Sequence, residues 1–401
     1  MRTIEGVISG APDFELGRPR TEPLHYTADC PDGPAAGLAF LIPGFGEDTD
    51  KGYAAALRRH VVETHGMVAV SVRYHCIGAR PATGARIEVD LRERLTLVGL
   101  AAAHGIGIDD PEDLLEIARR LAARGVAATV AGVLRPARGE YQNFGVMQAL
   151  DHLAALGDIR ARGLDFDTRR IVALGSSHGG YIAHLMARFA PRTFAMVIDN
   201  SSYTAPPMTY LGQAGAAELV VGLADGVLLT CGVESAWTTT DRLAANFYDR
   251  NRDLIRDTAY LPHLKAARAA AGDTATAFRM VNAAVDPISP PALKERQCEA
   301  LRRAGFDARL FLVEEGELDG RLFKRLVHGL DASLAGLFDL AMAELEPRDG
   351  PIDADAGTEV TFDCIDSRYQ LTHSLAAPGV KARVVPLTDE SRESGGEAVA
   401  A

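Results

Sequence analysis

Residues 171–182 read IVALGSSHGGYI, an apolar run that breaks into two serines and a histidine and closes on paired glycines. Gly175, Ser177 and Gly179 meet the pattern Gly-x-Ser-x-Gly, with a strand-like run before it and a helix-like run after it. A serine in that context sits on a sharp, strained turn that lifts its hydroxyl above the sheet, and the flanking glycines are needed because side chains there would strike neighbouring backbone. Ser177 is therefore the candidate nucleophile, and Ser176 the spacer that continues the strand. A serine hydroxyl is a weak nucleophile at neutral pH and needs a base, which in turn needs an acid to hold its tautomer. In this strand-turn-helix setting the acid and then the base follow the serine along the chain. Asp286 ends an apolar run, AFRMVNAAVD, in a turn marked by nearby prolines, and is the candidate acid. His328 and His373 are the histidines beyond it; His328 precedes an amphipathic stretch and is the candidate base, whereas His373 lies past the helix expected to finish the core. His178 and His184 are local to the elbow and are expected to pack or shape the pocket. An oxyanion hole would combine the backbone N–H of His178 with one from the loop PGFGEDTDKGY, where Phe45 and Gly46 are both candidates. That loop lacks the lysine and spacing of a P-loop and the third glycine of a dinucleotide fingerprint.

Positioning such groups takes a sheet. Short apolar runs at 37–44, 67–75, 170–176, 194–201, 277–286 and 308–315 alternate with amphipathic stretches such as YAAALRRHVVETH, NFGVMQALDHLAALGDIRAR, YIAHLMARFA and PALKERQCEALRRAG. The alternation predicts an α/β protein with a doubly wound, mostly parallel sheet covered by helices. Residues 87–140 and 202–275 interrupt it, both where strands end, and are expected to be helical insertions forming a cap. The main domain is then 1–345, and 346–401 is a C-terminal extension with short strands in TEVTFDCI and VKARVVPL and a disordered end. Near the predicted strand ends, Tyr74, His75 and Arg80 in YHCIGARP, and Asp199, Asn200 and Tyr203 in VIDNSSY, are placed to meet a ligand or to hold loops. Tyr74, Arg80 and Tyr203 are the substrate-binding candidates, Arg80 because a guanidinium holds a carboxylate or phosphate bidentately.

A formal net charge of -12 repels phosphate backbones, and no basic cluster offsets it, so nucleic acid is not an expected partner. The first residues lack a secretory pattern, and no run reaches the ~18 apolar residues of a membrane span. A cytoplasmic protein without a membrane partner is expected. Cys30, Cys76, Cys231, Cys298 and Cys364 are scattered, without CxxC or zinc-ligand spacing, and read as reduced thiols.

The elbow LGSSHGGY, the Asp286 strand end and the late His328 resemble the α/β-hydrolase fold, with SHGGY most similar to its prolyl-oligopeptidase-like branch. More closely, VRYHCIGARPATGA, EYQNFGVMQALD and GSSHGGYIAHLMARFAP with VIDNSSY resemble an uncharacterised bacterial family known as a domain of unknown function. The resemblance implies a hydrolase-type fold and a serine site without naming a substrate. Peptidases of the similar branch carry a β-propeller ahead of the catalytic domain, whereas here the first core strand begins at residue 37, so that element is expected to be absent. The expected function is hydrolysis or transfer of an acyl group on a small ester-bearing metabolite or sugar, with no metal or organic cofactor. The rivals are a peptidase or amidase, and a non-catalytic binding or assembly protein that keeps the fold. A small-molecule substrate is the expected partner, and the oligomeric state is left open.

Overall fold

The computed structural model describes residues 1–50, 52–212, 217–346, 358–373 and 380–387. They form two compact units, one of Met1–His75, Phe144–Pro206 and Tyr248–Ala401, the other of Cys76–Asn143 and Pro207–Phe247.

The first unit is built on a sheet of β1 (Arg2–Ser9), β2 (Pro23–Cys30), β3 (Leu38–Ile42), β4 (Val68–Arg73), β5 (Ile171–Ser176), β6 (Met196–Asn200), β7 (Ala277–Ala283) and β8 (Ala308–Val313). Their order is β1-β2-β4-β3-β5-β6-β7-β8. From β4 to β8 neighbours are parallel, and β1 and β2 add an antiparallel edge. The six parallel strands coincide with the six apolar runs. The edge pair does not announce itself in the sequence, because β1 buries only Gly6 and shows no apolar face. The central strand LAFLI is buried along its whole length, as expected for a strand covered on both faces. Helices α1 (Tyr53–His65), α2 (Val146–Ala161), α3 (His178–Phe189), α4 (Arg250–Arg256), α5 (Leu261–Ala271), α6 (Pro291–Ala304) and α7 (Leu334–Ala343) cover it. On one face Leu57, Val61, Leu41, Leu174 and Phe338 share a core, which joins α1 and α7 to the sheet. This is the α/β-hydrolase fold.

The chain runs from β3 outward to β4 and returns to β5 on the other side of β3. Loops leaving β3 and β5 therefore diverge, and a crevice opens at the carboxyl ends of those strands, where open α/β sheets take ligands.

The second unit holds the expected helices, Leu91–Ala103 and Leu114–Ala122, and also a four-stranded sheet in the order Arg86–Glu88, Ala128–Arg135, Val227–Val233, Leu219–Ala224. Leu97, Ile117, Leu121, Val130, Leu134 and Leu229 form its core. The strands had been hidden in segments read as helical insertions. Asp225 and Gly226 (φ 70°) make the tight turn between the last two, an Asp-Gly hairpin signal that the sequence did carry. Insertion residues beyond 247, including α4 and α5, fold with the first unit instead.

The C-terminal segment forms three antiparallel strands, Thr358–Asp363, Ser367–His373 and Val380–Pro386; the middle one had no counterpart among the expected strands. Tyr369 donates to Glu15 at 2.9 Å, and the same carboxylate pairs with the fully buried Arg256 of α4. The end expected to be disordered lies outside the described residues. No described helix is long and apolar enough to cross a membrane.

Two local features hold the crevice in shape. First, α3 meets the sheet through bare backbone. A Cβ on Gly175 would lie 2.1 Å from the Gly179 carbonyl carbon, and one on Gly179 would lie 2.1 Å from the Ile42 oxygen of β3. Second, a charged cluster is buried beside α3. Lys294 of α6 and Asp199 of β6 are both wholly buried and 2.5 Å apart; His184 Nε2 lies 2.9 Å from Asp199, and Ser202 donates to it at 2.7 Å. Burial alone would raise the Asp199 carboxyl, but the Lys294 charge and the His184 hydrogen bond outweigh it and hold it well below the usual carboxylate range.

Gly179→Ala is expected to destabilise the protein by about 2–3 kcal/mol or more, because the obstacle is main chain that no rotamer change can move aside; urea unfolding measures this. Lys294→Met is expected to cost about 3–5 kcal/mol by leaving the buried Asp199 carboxylate without its cation. The pH dependence should also weaken. In the parent protein Asp199 titrates below its unfolded value, so its contribution is present above about pH 4 and is lost as pH falls. In the variant the Lys294 charge that lowers Asp199 most is gone while the bonds from His184 and Ser202 remain, so less stability is lost as pH falls. Unfolding curves at acidic and neutral pH read both effects.

Candidate active site

The turn from β5 into α3 holds Ser177 at φ 53° and ψ -116°, a conformation unfavourable for any residue with a Cβ. It is sustained from both sides: the Ser177 N–H donates to the Asn200 carbonyl at 2.7 Å, and the Ser177 carbonyl accepts from Tyr181 N–H at 3.1 Å. The side chain is thereby lifted off the carboxyl end of β5, into the crevice.

His328 reaches the same point from the far end of the chain. Its Nε2 lies 2.7 Å from Ser177 Oγ, and its Nδ1 lies 2.8 Å from Asp286 Oδ2. With Nδ1 donating to the carboxylate, Nε2 is left to accept the serine proton. Asp286 sits in the turn after β7 and its side chain is fully buried, while that of His328 is 19% exposed. Burial would raise the Asp286 carboxyl, but the His328 hydrogen bond and the N–H groups of Ser289 and Ile288, each at 2.9 Å, hold it below the usual range. Asp286 therefore stays a carboxylate.

The histidine loop is itself constrained. Gly329, Leu330 and Asp331 follow His328 with φ of 78°, 60° and 44°, three successive left-handed residues. Asn200, almost wholly buried, donates through Nδ2 to the Gly329 carbonyl at 3.1 Å and to Ser176 Oγ at 3.2 Å. One amide thus ties the histidine loop to the serine strand. On the acid side, Ser289 Oγ donates to the Ser202 carbonyl at 2.6 Å, which links the Asp286 turn to the buried Asp199 cluster.

A cleft of about 760 Å³ opens beside Ser177, with Phe45, Asn200, His328 and Gly329 on its wall. In the loop after β3, Glu47 Oε2 accepts from Gly44 N–H at 2.7 Å and from Tyr53 O–H at 3.1 Å, so the Gly44 donor is already taken. Phe45 lines the cleft, whereas Gly46, at φ 82°, turns the chain without contributing to the wall. His178 is the first residue of α3, so its backbone N–H is one of the donors a helix start leaves without an intrahelical acceptor. Its side chain is buried, with Nε2 2.9 Å from Gln148 Oε1 and the ring 4.6 Å from Phe144 and 5.5 Å from Phe45. Because Gln148 Oε1 also accepts from Gly145 N–H, His178 Nε2 carries the proton, and burial depresses the ring to about 3. It is a neutral packing residue.

The remaining candidates divide. Tyr203 stacks its ring nearly parallel on His328, and its hydroxyl lies 3.2 Å from Ser177 Oγ. Tyr74, expected at the substrate, is 1% exposed, packs its ring against His152 and His178 and is not on the cleft wall. Arg80 lies in the second unit, where its guanidinium pairs with Glu218 and covers the Tyr210 ring, so its charge is already met. His75 is buried, its N–H donating to Asp151 at 2.7 Å, and His373 lies against Thr193 at 3.2 Å with burial lowering its ring to about 4. Cys76 is buried with its thiol pushed well up by burial, unlike a reactive cysteine. Arg321 and Lys324 line the cleft beside His328 but escaped the sequence reading. They stand three apart in GRLFKRLVHG, yet in an irregular loop no periodicity says which way a side chain faces. Among the described residues, the one group with donors for a metal, His60, His65 and Asp339, lies outside the cleft wall.

Among curated proteins no sequence match is found. Several solved structures align over most of the chain. A puromycin-hydrolysing peptidase of Mycobacterium tuberculosis is 14% identical with a TM-score of 0.45, over 85% of this chain and 38% of its own. The acylaminoacyl peptidase of Pyrococcus horikoshii is 11% identical with a TM-score of 0.47, over 87% of this chain and 42% of its own. Est1E of Butyrivibrio proteoclasticus, solved with ferulic acid bound, is 16% identical with a TM-score of 0.41, over 80% and 95%. The chain thus spans well under half the length of either peptidase. The sequence family described as "Protein of unknown function (DUF2920)" matches residues 5–376, and this chain belongs to it.

Proposed function

We propose that the chain is a serine hydrolase of the carboxylic-ester type. The observation that carries this reading is the unbroken relay from Ser177 Oγ through His328 to the buried Asp286, at 2.7 and 2.8 Å, with the serine on a strained elbow. In this reading His328 Nε2 takes the hydroxyl proton as Ser177 attacks the substrate carbonyl, and the N–H groups of His178 and Phe45 receive the oxyanion. His328 then returns the proton to the leaving alcohol. Water enters, gives its proton to His328 and attacks the acyl-enzyme, and Ser177 leaves reprotonated with the acid as product. Asp286 keeps the histidine in the tautomer this cycle needs and stabilises its charged form. The Tyr203 hydroxyl, 3.2 Å from Ser177 Oγ, helps to hold the serine side chain in place.

The wall of the cleft favours a substrate class. Its acids are committed, Glu47 to Gly44 N–H and Tyr53, and Asp331 to Arg325. Its cations, Arg321 and Lys324, have no acidic partner among the described residues. An ester that carries a carboxylate or phosphate a few bonds from the scissile carbonyl suits that balance.

A fluorophosphonate probe is expected to label Ser177, with labelling abolished in Ser177→Ala and retained in Ser176→Ala; the opposite pattern would move the nucleophile. Asp286→Asn and His328→Ala are each expected to lower kcat on p-nitrophenyl esters by about 10³–10⁴-fold. Faster turnover of aminoacyl anilides than of esters would favour the peptidase alternative. For the substrate class, a succinate half-ester is expected to react with lower KM than a neutral ester of equal length. Exposed ion pairs are worth up to ~1 kcal/mol each, so the double variant Arg321→Gln/Lys324→Gln should remove about tenfold of that preference, as should high salt.

A further inference from the structure

Away from the cleft, α1 and α7 cross through an edge-on contact between the rings of His65 and Phe338, 5.0 Å apart. At this crossing His60 Nε2 lies 2.8 Å and His65 Nε2 2.7 Å from one and the same oxygen, Asp339 Oδ1. The three donor atoms all lie within 4.8 Å of one another, and the side chains are 30%, 18% and 43% exposed, so the group is open to solvent. Two imidazoles and a carboxylate converging on a single point are the donor set that zinc and the neighbouring divalent transition metals prefer. Ligands held about 2.0–2.1 Å from a tetrahedral ion stand roughly 3.3 Å from each other, so Asp339 Oδ1, now 2.8 and 2.7 Å from the two Nε2 atoms, must draw back from each by about half an ångström to admit one.

We propose that His60, His65 and Asp339 form a binding site for a divalent transition metal, with zinc as the reference ion and water completing the coordination. Binding replaces the two Nε2 hydrogen bonds to Asp339 by N–metal bonds. Each ring keeps one proton, on Nδ1, and no oxidant or reductant is involved. For His60 the acceptor for that proton is at hand, since Thr64 Oγ1 lies 3.4 Å from Nδ1, the kind of outer partner that fixes a ligating ring.

The site lies where it would act on the crevice mechanically. Helix α1 follows the loop that carries Phe45, and α7 follows the loop that carries His328; Leu57 of the first and Leu334 of the second line the cleft. An ion joining the two helices staples both walls. It takes no part in acyl transfer, and its presence does not depend on the role of Ser177.

Untagged full-length protein, stripped with a chelator, is titrated calorimetrically with zinc chloride. The expected result is one ion per chain with micromolar or tighter affinity, a raised Tm in zinc, and a cobalt(II) spectrum of low-coordinate nitrogen and oxygen ligation. His60→Gln and Asp339→Asn should each weaken binding at least tenfold and abolish the zinc-dependent rise in Tm. Metal-free Tm values of the two variants show that they fold, and either alone suffices. Absence of stoichiometric binding by the parent protein, or variants that bind as it does, would overturn the proposal. Loss of zinc binding with fluorophosphonate labelling intact, or the reverse, separates this site from the hydrolase reading.

Discussion

The crevice depends on contact between backbones closer than any side chain permits. Helix α3 begins on top of β3 and β5 because Gly175 and Gly179 leave nothing between them: a single methyl on either would stand 2.1 Å from main-chain atoms of the neighbouring segment. That closeness allows one residue, Ser177, to make the whole turn from strand to helix, and forces it into a positive φ that only its surroundings sustain. The strain is offset by hydrogen bonds to Asn200 and Tyr181 and by the buried aromatic packing around His178 and Phe144. The site residues therefore have their geometry from packing beneath them, and little of it from the cleft itself.

A second constraint is electrostatic. Asp199 and Lys294 place opposite charges in the core, and a pair so deeply buried is worth little over apolar packing while being costly to break. Its location suggests what it contributes instead. Asp199 precedes Asn200, the last residue of β6, which bonds the histidine loop, and Ser202, bound to the same carboxylate, offers its carbonyl to Ser289 in the Asp286 turn. A chain of directional bonds thus runs from the elbow helix through the core to both loops facing Ser177. Directional bonds set loop positions in a way that apolar contacts, which tolerate sliding, do not.

How much of this was legible in the sequence follows from where side chains face. The inner parallel strands are buried on both faces and read as continuous apolar runs, and the covering helices show their spacing of three and four, so both could be located. The edge strand β1 and the sheet of the second unit escaped, since exposed and half-exposed strands alternate in ways that helices and loops also produce, and β2, PLHYTADC, is largely buried yet too polar to read as an apolar run. The Asp225-Gly226 turn was the overlooked signal. At the site, Ser177, Asp286 and His328 could be singled out from the glycine spacing of the elbow, from a strand end and from the order in which acid and histidine follow the serine. Tyr74 and Arg80 looked equally well placed, yet burial took one and Glu218 the other.

By itself the sequence determined the parallel strands and the main covering helices, the turn at Ser177 and the order serine, acid, histidine, because periodicity and glycine spacing are local properties written into neighbouring residues. Tertiary structure alone decided that a histidine 151 residues beyond Ser177 lies 2.7 Å from it, that Asn200 clasps the loop after that histidine, and that Arg321 and Lys324 face the cleft. It also brought Asp339 to His60 and His65 from across the chain. Such meetings arise from strand order and helix crossings, and a linear pattern carries no record of which distant segments the sheet will set side by side.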